Sequence, residues 1–192
     1  MQKRKRAPVK EVAATRKVSR KRQQIYSNRP FVPENMAGPT SDLLADCAHR
    51  VFDNCDHNSG IYLGPKQCCV AAVLSVLRLS QVTGIVNCTL DAPCAHEAKG
   101  IEYCRVPVRD HEAANIYLFF EGASAFIHRH LTRGGSVVVH CEMGVSRSAS
   151  IVLAYLMRYQ SMSRDTAYTR VKSRRLQVCI LLNYTRRYTR LL

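Results

Sequence analysis

The chain has 192 residues and a net charge of +15, from 29 Lys and Arg against 14 Asp and Glu. That length is one ordinary domain with some chain to spare, and a hydrophobic content of 46% supplies a core, which excludes wholesale disorder. No apolar run approaches the ~20 residues of a membrane-spanning helix, and the basic start MQKRKRAPVK leads into no apolar h-region, which argues against a secretory signal.

The charge sits at the ends. Residues 1–30 hold 11 Lys/Arg and one acid, residues 158–192 hold nine and one, and the stretch between them holds nine against 12. From charge alone, nucleic-acid binding is the first function to weigh. The nine cysteines are odd in number and follow no regular framework, which points to free thiols in a reducing compartment, cytoplasm or nucleus.

Residues 1 to about 40 are rich in Lys, Arg, Pro, Ser, Gln and Asn and read as a disordered basic tail. The tail is extended to residue 58, with one short helix expected around Leu43–Phe52. From Ser59 the texture changes. Ile61-Tyr62-Leu63 ahead of Gly64-Pro65 predicts a strand that stops at a turn. Val70, Val73, Leu74 and Leu77 have helical spacing within Lys66–Leu79. Gly84–Cys88 predicts a buried strand, and Tyr103–Val108 a strand that stops after Pro107. Asn115 is placed to cap a helix whose apolar face is Phe119, Phe120, Ala123, Phe126, Ile127 and Leu131, ended by Gly134-Gly135. Ser136–His140 predicts a fully buried strand. Ser148–Tyr159 predicts an apolar helix, and Ser163 caps a last one with Asp165 in its first turn. Strands alternating with helices define an α/β domain: a central, mostly parallel twisted sheet flanked by helices.

The informative stretch is His140-Cys141-Glu142-Met143-Gly144-Val145-Ser146-Arg147-Ser148. A buried strand delivers Cys141 to its C-terminal end, where open α/β sheets place ligand sites. A five-residue loop and a helix start follow, and their amides suit a phosphate dianion. Gly144 permits a loop conformation that a Cβ hinders, and Arg147 offers a planar fork to two phosphate oxygens. The same groups lower the pKa of the Cys141 thiol, and a thiolate at neutral pH is competent for in-line attack on phosphorus. His140 reads as an orienting, hydrogen-bonding neighbour, and Ser148 as a hydroxyl that stabilises the departing sulfur. The leaving oxygen needs an acid. Asp110, in the loop after the Tyr103–Val108 strand, is preferred, with Glu112 and His111 as alternatives.

The stretch HCEMGVSRSASIVLAYLM, with IYLG, GIVNCT, VRDHEAANI and GGSVVVHC in the same order, resembles the dual-specificity protein phosphatases of the cysteine-based tyrosine phosphatase superfamily, and among them the slingshot and mitogen-activated-protein-kinase phosphatase groups. The resemblance covers about residues 59–175. It implies Cys141 as nucleophile, Arg147 as phosphate clamp, Asp110 as general acid and Ser148 as leaving-group helper. It also implies that the amides of Glu142, Met143, Gly144, Val145 and Ser146 bind the phosphate oxygens, with no metal and no cofactor. The implied substrate is a phosphorylated protein, such as a kinase or a cytoskeletal regulator, met in a shallow pocket open to phosphoserine, phosphothreonine and phosphotyrosine. Residues 59–192 are then the catalytic domain. Its end, residues 176–192, is atypical, because the Pro and Phe that family members carry after Arg174-Arg175 are absent.

Other functions compete. A phosphoinositide or RNA 5′-phosphatase of the same superfamily would favour extra lysines in the loop, which this sequence lacks. A phosphoprotein- or nucleic-acid-binding module would leave the site idle. Cys88, Cys94, His96 and Cys104 form the one set resembling zinc ligands, but without a CxxC pair. Cys88 lies on a strand neighbouring the site, where it is placed to trap an oxidised Cys141, although packing is its ordinary role. Cys68-Cys69 reads as structural. Basic clusters at Lys3–Arg6 and Arg16–Arg22 have the spacing of a bipartite signal for a nuclear import receptor, with a docking arm for an acidic kinase groove as the competing use.

Overall fold

The structure is a computed structural model, and it describes residues 47–180. Five strands form one sheet in the order β1-β2-β5-β3-β4. They are β1 (His49–Asn54), β2 (Ser59–Pro65), β3 (Val82–Asn87), β4 (Glu102–Arg105) and β5 (Ser136–Cys141). The helices are α1 (Leu74–Leu79), α2 (Phe120–Thr132), α3 (Arg147–Tyr159) and α4 (Arg164–Arg174). Strands β2, β5, β3 and β4 run parallel, and β1 is antiparallel to β2. Among the described residues, no helix is long and apolar enough to cross a membrane.

Strand β5 is the axis. All six of its residues are buried, and it pairs with β2 on one side and β3 on the other. Its side chains alternate between two cores, as the two-residue period of a strand requires. Val137, Val139 and Cys141 join the core built with α2, α3 and the inner face of α4 (Ala167, Val171). Val138 joins the opposite core with Leu77 of α1, Cys68 and Cys69. Helix α3 is buried without a break from Arg147 to Met157, as a helix packed on several sides must be. The α/β sandwich expected from the sequence is thus present, with one antiparallel edge strand.

Three expectations change. The helix expected around Leu43–Phe52 is strand β1 over its described part. A register shift between Arg50 and Phe52 lets the adjacent residues Val51 and Phe52 both bury, so the alternation that would signal a strand is broken by a bulge. β1 therefore draws residues 49–54 into the sheet, ahead of the boundary expected at residue 59; residues 1–46 lie outside the described part. The helix expected over Lys66–Leu79 is two 3₁₀ turns, Lys66–Cys69 and Ala71–Val73, followed by α1. Val70 between them is extended (φ −71°, ψ 158°) and exposed; a β-branched residue gains little by staying helical there. Asn115 makes no side-chain cap. A 3₁₀ turn (Ile116–Phe119) leads into α2 instead, and the buried face is Phe120, Ala123, Ile127 and Leu131, with Phe119 and Phe126 half-buried.

Candidate active site

The C-terminal end of β5 presents Cys141, residues 142–146 form a loop, and α3 begins at Arg147. Gly144 has φ +66°, and a Cβ there would run into the Gly64 backbone. The loop thus needs glycine for both its conformation and its close approach to the end of β2.

The Cys141 sulfur accepts hydrogen bonds from the Gly144 amide (3.2 Å) and the Ser148 hydroxyl (3.2 Å). Burial alone would raise the thiol's pKa. The Ser148 hydroxyl and the amides of Ser148, Val145 and Gly144 outweigh it, and the net shift is downward, because each donor favours the thiolate. The expected place of Ser148 beside the sulfur is the place it occupies.

Arg147 is buried. Its Nη1 donates to the carbonyls of Cys88 and Val108, both at 3.1 Å, so the ends of two neighbouring segments orient the guanidinium. Nε and Nη2 are left for an anion. Nε already faces one, Asp110 Oδ2 at 3.6 Å. The loop after β4 thus brings Asp110, 41% exposed, to the Arg147 guanidinium. His111 is engaged in its own loop, where Nδ1 accepts from the Ala113 amide, and Glu112 is exposed.

His140 departs from expectation in one respect. It is buried, and among the described residues neither ring nitrogen has a hydrogen-bond partner of good geometry. Its environment pushes the imidazole down to about 4, burial being the largest cause, so it is neutral at physiological pH. Glu142 also differs, because it is paired with Lys66 at 2.6 Å and its charge is matched locally. Met143 is exposed at the rim.

Two contributors were not legible in the sequence. Arg175 is buried and donates from Nε to Gly144 O (2.9 Å) and from Nη2 to Met143 O (3.0 Å). Lys66 reaches Glu142 O through its amide (3.4 Å). Both act on backbone carbonyls, which no residue pattern reveals. Among the described residues, no three His, Cys, Asp or Glu side chains gather to hold a metal ion. In the zinc-like set, Cys88 is buried with its thiol pushed up by burial; His96 shares a hydrogen bond between Nε2 and Val70 O, and Cys94 accepts from Arg105. Cys68 and Cys69 are buried with sulfurs 3.8 Å apart.

A strand–loop–helix that gathers backbone amides and an arginine around a cysteine thiol whose pKa is shifted downward is the candidate oxyanion site. The family model described as dual specificity phosphatase, catalytic domain, matches residues 61–189, and the chain belongs to that family. It is 43% identical over 100 residues to human dual specificity protein phosphatase 21, covering 52% of this chain and 52% of that protein. To dual specificity protein phosphatase 26 of Bos taurus it is 39% identical over 121 residues, covering 60% and 56%. The chain spans about half the length of these curated relatives. Among solved structures, human DUSP28 superposes with a TM-score of 0.65 at 28% identity, over 74% of this chain and 90% of that one. A mouse putative dual specificity phosphatase complexed with zinc tungstate gives 0.66 at 27%, over 84% and 91%.

Proposed function

We propose that this chain is a protein phosphatase that hydrolyses phosphotyrosine and phosphoserine or phosphothreonine through a phosphocysteine intermediate. The observation that carries the proposal is the convergence of the Gly144 amide and the Ser148 hydroxyl on the Cys141 sulfur. In the first step the Cys141 thiolate attacks phosphorus in line. The S–P bond forms, the ester P–O bond breaks, and the departing oxygen takes the proton of Asp110. In the second step Asp110, now a carboxylate, takes a proton from water as that water attacks phosphorus. The S–P bond breaks, inorganic phosphate leaves, and the Ser148 hydroxyl stabilises the returning thiolate. The loop amides and the free N–H groups of Arg147 hold the three non-bridging oxygens throughout.

Hydrolysis of a small aryl phosphate tests this. Wild type turns it over, Cys141→Ser has no detectable activity, and Asp110→Ala loses about 10²- to 10⁴-fold in kcat, the span of general-acid catalysis, while retaining binding. Equal turnover by wild type and Cys141→Ser would sink the proposal. A substrate panel separates a phosphoinositide or an RNA 5′-phosphate from phosphoproteins. Steep salt-dependent nucleic-acid binding without turnover would identify a binding module. The basic clusters at residues 3–6 and 16–22 lie outside the described residues; we propose them as a contact for a nuclear import receptor or a kinase, with the chain in cytoplasm or nucleus.

A further inference from the structure

We infer that Arg175 is a positioning residue for the phosphate loop: by gripping the Met143 and Gly144 carbonyls from outside, it turns the next two amides toward the Cys141 sulfur. The inference rests on the function proposed above for the same site.

Every carbonyl from Glu142 to Ser146 has a donor. Lys66 N serves Glu142 O, Arg175 Nη2 serves Met143 O, and Arg175 Nε serves Gly144 O. Cys179 N serves Val145 O at 3.1 Å, and the Ser150 amide and hydroxyl serve Ser146 O. Among the described residues no peptide bond is cis, and across a planar trans peptide the C=O of one residue and the N–H of the next point in opposite directions. A carbonyl held outward therefore fixes the following N–H inward. The two carbonyls Arg175 holds precede the amides of Gly144 and Val145, which are two of the groups that lower the thiol.

The fork geometry suits this task. Nε and Nη2 are the parallel pair of a guanidinium, and they meet two successive carbonyls. The remaining terminal nitrogen, Nη1, donates to His49 Nδ1 at 2.7 Å, which ties the grip to edge strand β1. A lysine in this place carries the same charge but cannot span both carbonyls.

The test compares full-length wild type, Arg175→Lys, Arg175→Ala and, as control, Arg174→Ala, whose side chain is exposed beside it. Three quantities are read: the pH dependence of Cys141 alkylation by iodoacetate, protection against that alkylation by inorganic phosphate, and kcat and KM on an aryl phosphate. Thermal unfolding checks the fold. Losing well-aligned donors at an oxyanion site costs on the order of 10²-fold in kcat, and Arg175→Lys is expected near that loss. Its thiolate pKa rises by about one unit, the scale of one charge-assisted hydrogen bond, and phosphate protection weakens, while Arg174→Ala matches wild type.

Full recovery of the thiolate pKa and kcat in Arg175→Lys would overturn the inference, because charge alone would then suffice. An unfolded Arg175→Lys would overturn it too, by making Arg175 a residue of the fold. An inactive wild type with a low thiolate pKa refutes the proposed function and leaves the alkylation comparison able to decide the grip.

Discussion

In the reaction proposed above, Ser148 distinguishes the two steps. Its hydroxyl meets the sulfur at 3.2 Å, and a hydrogen bond to a charged group is worth about 1.5–3 kcal/mol, or roughly ten- to a hundredfold in rate. That interaction matters most when sulfur carries full negative charge, which in the proposed mechanism is the departure of thiolate in the second step. Ser148→Ala is therefore expected to raise the thiol pKa and to slow breakdown of phosphocysteine more than its formation. Rapid mixing with an aryl phosphate reads this as a burst of aryl alcohol followed by slow turnover; a linear trace with unchanged kcat would contradict it. The neighbouring residues were legible because they act with their side chains at fixed spacing: Cys141, Gly144, Arg147 and Ser148 lie within eight positions of one strand–loop–helix. Arg175 and Lys66 were not, because what they recognise is a peptide carbonyl, and carbonyls carry no residue identity.

Among the elements, β5, α2, α3 and α4 follow from periodicity, and α4 from its cap as well, while β1 and the segment 66–79 do not. A bulge that buries both Val51 and Phe52 erases the two-residue pattern, and an extended Val70 splits a stretch whose spacing alone is helical. Helix α4 shows a cap where the sequence places one. Ser163 Oγ accepts the Thr166 amide at 3.2 Å, Asp165 sits in the first turn, and Lys172 and Arg174 sit in the last, as the helix dipole favours. Ser163→Ala is expected to cost about 1 kcal/mol, seen as a lower urea midpoint with unchanged slope. Because Arg175 directly follows α4 and the cap lies at the helix's opposite end, kcat at 25 °C is expected to stay at the wild-type value.

For the whole molecule, the +15 of the sequence is a poor guide to the candidate site, which gathers one arginine, backbone amides and a helix end. Acid stability is a better global readout. The folded chain holds His140 at about 4 against an ordinary 6.5, mainly through burial. The unfolded chain takes up that proton first, so stability is complete above pH 6.5 and drains as pH falls toward 4, by about 1.4 kcal/mol per pH unit at most. Urea midpoints of wild type are expected to fall more steeply across this window than those of His140→Asn; parallel curves would refute the assignment. The central position of β5 has a kinetic consequence. Its residues from Val137 to Cys141 pair with β2, and those from Ser136 to His140 pair with β3, so fraying of an edge strand does not bare Cys141 from behind. Local openings elsewhere in the sheet leave it sheltered, and the backbone amides of β5 exchange with solvent only when the domain opens as a whole.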